Sequence, residues 1–504
     1  MNKLKNLKTD VLVAGSGIAG VKSALVAAKN GCSVTLITKN KAAASNHVLG
    51  FNAPLLECDS EELYAKDTIK GGWDINNPEL VEVLSQNSAK EVEFLENEGI
   101  AFDKDEEEYN LLKPLGCTVP RLAHIENLTG KISLEKFFDM AINEGVNIIC
   151  DAMLSDVITK NGKAIGATVF DLKNKKEFKI SAKAVVIATG GIHIATDSTY
   201  PFVMTGDGYG AAYRAGAELT DMEFIQYEPC RCIYPQKLGI STTLLAKGGK
   251  ITNADGERFL LKHYDSEGSI PKDMLSKLIY AEILKGNALE HGGVYLDLTD
   301  IDEAEIKEKH VLYYNRFKNA GIDITKEKIE VAPCAHSFMG GIVIDKDCKT
   351  CIDGLYAAGE AAGGIHGANR VGGNAGTEIY VFGTVSGKSA SDYAKNCDFE
   401  KIPDDNEMNF DDGQNFEYFE NVKAKIRSVM SKYMGPVRNG DGLETALEII
   451  TNLDIELKNT KAESFDALVS KKEKHHCDCN DAFHPYYSGL YNLSNFKSGK
   501  MVIL

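Results

Sequence analysis

Two groups of residues in this 504-residue chain have the types and spacing for chemistry. The first is Gly15-Ser16-Gly17-Ile18-Ala19-Gly20, the G-x-G-x-x-G pattern of a dinucleotide site. Glycine permits the tight turn and lets the backbone approach a pyrophosphate, whose charge a following helix N-terminus stabilises. The second is His366-Gly367-Ala368-Asn369-Arg370, with Gly359-Glu360 before it and Gly372-Gly373-Asn374 after it. A guanidinium offers planar, paired donors suited to a carboxylate. The cysteine motifs carry less. Cys348-Lys349-Thr350-Cys351 has redox or metal spacing but reads as a structural turn before Gly354. His475, His476, Cys477 and Cys479 fit no standard zinc spacing, so no metal is expected. No cysteine run suits an iron–sulfur cluster.

The elements that must position these residues follow from periodicity. Residues 9–14 are a short, mostly apolar run suited to a buried parallel strand. Residues 18–30 have helical spacing and end at Gly31, a C-cap, and 33–38 form the next strand. The glycines therefore occupy the turn of a βαβ unit, where a dinucleotide needs them. Residues 79–98 read as an amphipathic helix closed by Gly99. From 146 to 188 the pattern is β, with Asn161-Gly162 as a hairpin turn and 164–169 as the return. A short strand over 177–180 follows, then one over 184–188 that ends in Thr189-Gly190-Gly191. Thr205-Gly206-Asp207-Gly208 leads into a small-residue helix over 209–215. Residues 414–470 read as helices in a bundle.

Taken in this order in one chain, these motifs resemble the flavoprotein subunit family of fumarate reductase, succinate dehydrogenase and L-aspartate oxidase, over most of residues 8–455. The resemblance implies an α/β fold: a two-dinucleotide-binding, Rossmann-like FAD domain with an inserted α+β capping domain and a C-terminal helical region. The expected division is 1–219 and 336–395 for the FAD domain, 220–335 for the cap, 414–470 for the helices and 471–504 for a divergent tail. The resemblance also implies FAD held by Gly15, Gly17, Ala19, Gly20, Thr38, Lys39, Ser45, Asn46, Ala188, Thr189, Gly190, Asp207, Gly359, Glu360, Asn374, Ala375, Gly376 and Thr377. Glu360 would accept hydrogen bonds from a ribose or ribityl hydroxyl. Residues 374–377 would open a helix whose free N–H groups stabilise negative charge on the flavin. The second strand ends in Thr38-Lys39 rather than an acid, which counts against NAD. The family's flavin-linking histidine aligns with Asn46, and His47 is one place out of register, so non-covalent FAD is expected.

Arg370 matches the family arginine that clamps a substrate carboxylate. His336, in Ala335-His336-Ser337-Phe338-Met339-Gly340-Gly341, matches a second substrate-binding residue. Three positions depart. Tyr227-Glu228-Pro229-Cys230 replaces a Tyr/Phe-His-Pro-Thr run, so a carboxylate-binding histidine has become Glu228. Ser241-Thr242 and Leu245-Ala246-Lys247-Gly248-Gly249 replace Thr-Glu and Arg-Gly-Glu-Gly-Gly. Pro271-Lys272-Asp273 puts Lys272 in place of a proton-shuttle arginine. An ionised Glu228 ~4 Å from a second carboxylate costs about 4 kcal/mol at an effective dielectric near 20. The expected substrate therefore has one carboxylate and a neutral or cationic far end, and is not fumarate. In the implied reaction Arg370 and His336 polarise a carboxylate conjugated to C=C, hydride passes from flavin N5 to the β-carbon, and Lys272 protonates the α-carbon. The bland alternative is that Lys272 and Glu228 simply pair with each other. Competing readings are an amino-acid oxidase resembling L-aspartate oxidase, with Glu228 on the ammonium; an adenylylsulfate reductase relative, for which no specific residues speak; and an FAD electron-transfer subunit.

The bulk properties agree with these readings. A net charge of −17 argues against nucleic acid, which needs clustered cations. No apolar run approaches the length needed to cross a bilayer, so no membrane insertion is expected. The first strand starts by about Thr9, leaving no room for a cleaved signal peptide. Twelve scattered cysteines favour free thiols, and a cytoplasmic location is expected. The expected partners are a small carboxylate and a separate electron-donor protein, iron–sulfur or other.

Overall fold

The apolar run at the N-terminus becomes the strand Leu7–Ala14, with Val11, Leu12, Val13 and Ala14 all buried. A strand buried on both faces needs apolar residues at successive positions, and parallel partners supply the cover. The structure, a computed structural model, describes residues 7–40, 44–114, 116–126, 128–199, 204–403, 416–460 and 469. The expected tail and its His/Cys cluster lie outside these.

Seven strands form the main sheet. Its order is Asn147–Cys150, Val34–Thr38, Leu7–Ala14, Lys176–Ile187, Lys163–Asp171 and Ala152–Lys160, with Leu355–Ala357 also paired to Lys176–Ile187. The first four and Leu355–Ala357 run parallel, and the last two add an antiparallel hairpin. The hairpin turns at Asn161 (φ 52°) and Gly162 (φ 75°), the two left-handed residues that an Asn-Gly turn requires. One expectation changes here. The segments 177–180 and 184–188 are not two strands but one, Lys176–Ile187. Its first half pairs with the hairpin and its second half with Leu7–Ala14, so residues 181–183 stay in the ladder.

The helix Ile18–Lys29 follows the fingerprint, and Gly31 (φ 83°) closes it one residue beyond its C-cap. It packs against the long helix Asn374–Lys395, where small residues let the backbones meet: a Cβ on Gly383 would lie 3.0 Å from the Ala19 carbonyl oxygen. Pro78–Asn97 is the expected amphipathic helix, started by the Asn77 side chain. The helices Phe416–Tyr433 and Gly440–Asn459 bury Val422, Ile426, Ile450 and Leu453 in the same core as the main sheet.

A second sheet has a core of its own. Its order is Leu238–Gly239, Ile225–Tyr234, Ile329–Phe338, Val294–Asp297 and Lys250–Thr252. The helix Lys272–Leu284 lies on Ile225–Tyr234. The strand Ile329–Phe338 runs through residue 335, and so carries His336 on the same element as the second sheet's centre. Among the described residues no helix is long and apolar enough to cross a membrane.

Candidate active site

The nucleotide cradle is built by close backbone approach. A Cβ on Gly15 would lie 2.0 Å from the Ala188 carbonyl oxygen, and Gly15 has φ 115°. A Cβ on Gly20 would lie 2.0 Å from the Gly15 oxygen. Both glycines are thus fixed by backbone, which no rotamer can relieve. Gly17 starts the helix Ile18–Lys29 without a side-chain cap of its own, while Ser45 Oγ accepts the Ile18 N–H at 3.1 Å. Thr38 is buried and shares a 2.6 Å hydrogen bond with Ser16. Lys39 Nζ donates to Thr205 Oγ1 (2.8 Å) and lies 3.4 Å from Asp207 Oδ2, which gathers three polar groups beside the second strand's end. Asn46 is half-buried and His47 exposed.

The opposite wall of the cradle comes from residues far along the chain. Ala19 packs against Gly359, where a Cβ would lie 2.9 Å from the Ala19 side chain. A Cβ on Gly191 would meet the Glu360 carboxyl at 2.9 Å, and Gly190 has φ 74°. Glu360 Oε1 accepts the Phe338 N–H at 3.1 Å. Burial pushes its pKa up to about 8, with Glu378 adding to the rise and the Phe338 N–H and Arg370 opposing it. Thr189 Oγ1 is buried without a partner among the described residues. A close-approach glycine turn, an open helix start and an orphaned hydroxyl at the cradle are what a dinucleotide would fill, so these residues fit FAD.

One expectation narrows at the helix Asn374–Lys395. The N–H groups of Asn374, Gly376 and Thr377 already donate to Val371 and Gly373 carbonyls. Among the described residues that leaves Ala375 as the one of the four with no acceptor. The side chains of Asn374 and Thr377 are fully buried and serve structure. Asn374 Oδ1 accepts from Asn52 (2.7 Å), and the Tyr64 hydroxyl lies 2.9 Å from Asn374 Oδ1 and 3.0 Å from Thr377 Oγ1. Asn52 and Tyr64 were not legible in the sequence, since nothing local marks a tyrosine as a partner 310 residues away.

The structure brings Arg370, His336, Glu228 and Lys272 into one electrostatic neighbourhood. Burial lowers the Arg370 pKa, while Glu360, Glu378 and Glu228 oppose the drop. Its Nε is buried without a partner among the described residues. Burial first, then Lys272 and Arg370, hold His336 well below the ordinary histidine range, so the ring is neutral at pH 7. Thr199 Oγ1 lies 2.8 Å from His336 Nδ1 and fixes its orientation. Lys272 Nζ lies 2.5 Å from Glu228 Oε2, with their side chains 23% and 16% exposed. Lys272 and Glu228 thus form an ion pair with each other. Glu228 is not a lone anion facing a substrate, and the repulsion expected of it is partly cancelled by its partner.

The Arg370 run is held from two sides. Gln226 Nε2 donates to Asn369 Oδ1 (2.8 Å) and to the Arg370 carbonyl (2.9 Å). Asn369 Nδ2 donates to the Gly71 carbonyl (3.1 Å) and the Ala368 N–H to the Gly72 carbonyl (3.0 Å). The next residue, Trp73, has φ 63° and is 59% exposed. Gln226 was missed from sequence, although it stands two residues before Glu228 on the same strand. His366 Nε2 lies 2.8 Å from Glu378 Oε2, which links the loop to the helix Asn374–Lys395.

The cysteine motifs separate. Cys348 Sγ faces the Phe382 carbonyl and Cys351 Sγ the Gly216 carbonyl, and the ten described cysteines are free thiols. Among the described residues no group of three or more His, Cys, Asp or Glu could hold a metal ion.

Comparison with known proteins agrees with this geometry. A family profile described as FAD binding domain matches residues 10–375. An uncharacterized FAD-dependent oxidoreductase of Methanocaldococcus jannaschii is 36% identical over 471 residues, covering 90% of this chain and 86% of that protein. An L-aspartate oxidase of Clostridium acetobutylicum is 34% identical over 388 residues, covering 75% and 86%. Among solved structures, a mutated E. coli quinol fumarate reductase flavoprotein superimposes with a TM-score of 0.86 at 26% identity, covering 96% of this chain and 89% of that one.

Proposed function

Because the chain belongs to the FAD-binding family of fumarate reductase, succinate dehydrogenase and L-aspartate oxidase, and is an FAD-dependent oxidoreductase, we propose that it reduces or forms a C=C bond next to a carboxylate in a substrate other than fumarate. The observation that carries this reading is the 2.5 Å Glu228–Lys272 pair in the neighbourhood of Arg370 and His336. FAD, when bound in the cradle, supplies the hydride-transfer chemistry. Arg370 binds the substrate carboxylate through its guanidinium and stabilises the charge that develops there. His336 is neutral and adds a hydrogen bond without adding charge. In the tautomer in which Nδ1 accepts from Thr199, Nε2–H is the donor. Lys272 gives or takes the proton at the α-carbon.

The far end of the site then offers a net-neutral acid and base rather than two cations. Such a lining favours a hydroxyl, amide or zwitterionic group over a second carboxylate. Glu228 also favours a second reading, oxidation of an amino acid whose ammonium it binds, as in a relative of L-aspartate oxidase. The proposal includes non-covalent FAD, since His47 is exposed and Asn46 stands where a flavin link would be made. It includes the unit around the second core, residues 220–335, as the cap, a separate protein as electron donor, and a cytoplasmic location.

The test is anaerobic. The holoprotein is reduced with dithionite and its flavin re-oxidation followed with crotonate, fumarate and imino-acid precursors. Rapid re-oxidation by crotonate and not by fumarate supports the reading. Rapid turnover of fumarate refutes it, and activity with imino acids alone selects the second reading.

A further inference from the structure

We infer that Tyr227 is a positioning residue: held by the turn between the two C-terminal helices, it sets the aim of His336, an assignment that rests on the reading of His336 as a substrate-binding group. The strand pairing shows where that aim is decided. Between Ile225–Tyr234 and its neighbour Ile329–Phe338, Gln226 pairs with Ser337 and Tyr227 with Ala335, so His336 has no residue opposite it. It is the extra residue of a β-bulge, a device that re-aims a side chain. Glu228 pairs with Cys334, and the next match is Arg231 with Ala332, so Pro229 and Cys230 face one residue and form a second bulge. Tyr227 and Glu228 are thus the regular pairs between two bulges. Each bulge interrupts the ladder, and contacts from outside must fix what lies between them.

Side chains alternate along a strand, so Gln226 and Glu228 face the site while Tyr227 faces away from it. The Tyr227 hydroxyl donates to the Met434 carbonyl at 2.6 Å, just beyond the helix Phe416–Tyr433. Burial holds this phenol above its ordinary value, so it keeps the proton it donates. The Tyr227 carbonyl accepts from Ser276 Oγ (3.3 Å) on the helix that begins at Lys272. Arg438 braces the turn, with Nε donating to the Gly435 carbonyl (3.0 Å) and Nη1 to the Glu223 carbonyl (2.8 Å). A Cβ on Gly435 would lie 2.9 Å from the Tyr280 ring, so the turn seats closely on the helix Lys272–Leu284.

The same helix end reaches the other side of the imidazole. Ser431 Oγ accepts the Thr196 N–H at 2.7 Å. Three residues on, the Thr199 N–H donates to the Ala335 carbonyl (2.9 Å), and the Thr199 hydroxyl lies 2.8 Å from His336 Nδ1. His336 is therefore set between two segments, both tied to residues 431–434. The competing account is that these bonds only seat the C-terminal helices, and that His336 would keep its place without them.

The two accounts separate without substrate. In holoprotein labelled with ¹⁵N-histidine, NMR reads the His336 Nδ1 resonance, assigned by its loss in H336A. Y227F keeps the ring and removes the hydroxyl's hydrogen bond. A positioning role predicts that Y227F shifts this resonance and weakens crotonate binding to the oxidised flavoprotein about tenfold, the scale of one misaligned hydrogen bond. R438A, whose lost hydrogen bonds go to neither strand, should do the same, and neither change should weaken crotonate further in an H336A background. Seating alone predicts a lower Tm with the Nδ1 resonance and the crotonate Kd unmoved. That result, or costs that add fully to H336A, overturns the inference. Should Y227F fail to fold, R438A carries the test. If crotonate neither binds nor re-oxidises the wild type, the proposed reaction fails while the Nδ1 resonance still decides this inference.

Discussion

Replacing Glu228 with histidine should convert the site towards dicarboxylates, and the size of the change follows from the observed pair. At an effective dielectric near 20, a second carboxylate ~4 Å from Glu228 meets about 4 kcal/mol of repulsion. Lys272 Nζ is 2.5 Å from Glu228 Oε2. From roughly 5 Å it returns about 3 kcal/mol of attraction, so the pair is nearly neutral towards the incoming charge. A neutral imidazole in place of Glu228 removes the repulsion and leaves the attraction. Both groups are partly exposed, so about half the Coulomb figure survives screening, roughly 2 kcal/mol, or about 30-fold in affinity. The assay is a titration of oxidised holoprotein with fumarate and crotonate, followed by the flavin absorption change. Glu228→His should tighten fumarate about 30-fold and leave crotonate within about threefold. Adding Lys272→Met should abolish the gain. An unchanged or weaker fumarate Kd in Glu228→His would refute the electrostatic account of specificity.

Other predictions follow from the same contacts. Gly15→Ala places a Cβ 2.0 Å from the Ala188 carbonyl oxygen in a left-handed turn, and should yield protein with little bound flavin, read from the ratio of visible to ultraviolet absorbance. Gln226→Ala removes both hydrogen bonds on the Arg370 run and should raise KM about tenfold with flavin content unchanged, at about 1–2 kcal/mol for the lost contacts. Glu360 in the cofactor-free protein keeps its proton up to about pH 8, above the ordinary carboxylate value. The folded state then binds more protons than the unfolded chain between about pH 4.5 and 8, so stability falls as pH rises through that window. The apo protein's Tm should drop from pH 5 to 8, and Glu360→Gln should flatten that dependence.

The glycine cradle was legible because its requirement is local: a left-handed φ and a carbonyl 2.0 Å from any Cβ permit one residue type, and the motif records it. The Asn161-Gly162 turn was legible for the same reason. The continuity of Lys176–Ile187 was not, because Ser181 and Ala182 have weak strand character of their own and are held by partners on two sides. The four residues proposed to act on substrate could be named from motifs, but whether Glu228 confronts a substrate or a lysine is a distance, and no spacing encodes it. Gln226 and Asn52 escaped notice because each acts on residues more than 140 positions away. Single-residue chemistry shows in a sequence, whereas the groups that aim it are found only when the chain closes on itself.

The exposed loop at Trp73 has a spectroscopic consequence. It holds the chain's only tryptophan, already in water in the native state, so intrinsic fluorescence will change little in colour when the two cores melt. Its neighbour Gly72 holds the Ala368 amide, two residues before the arginine. The indole is therefore a native optical probe of the Arg370 loop, and its intensity, rather than its wavelength, should change if that arginine binds a carboxylate as proposed.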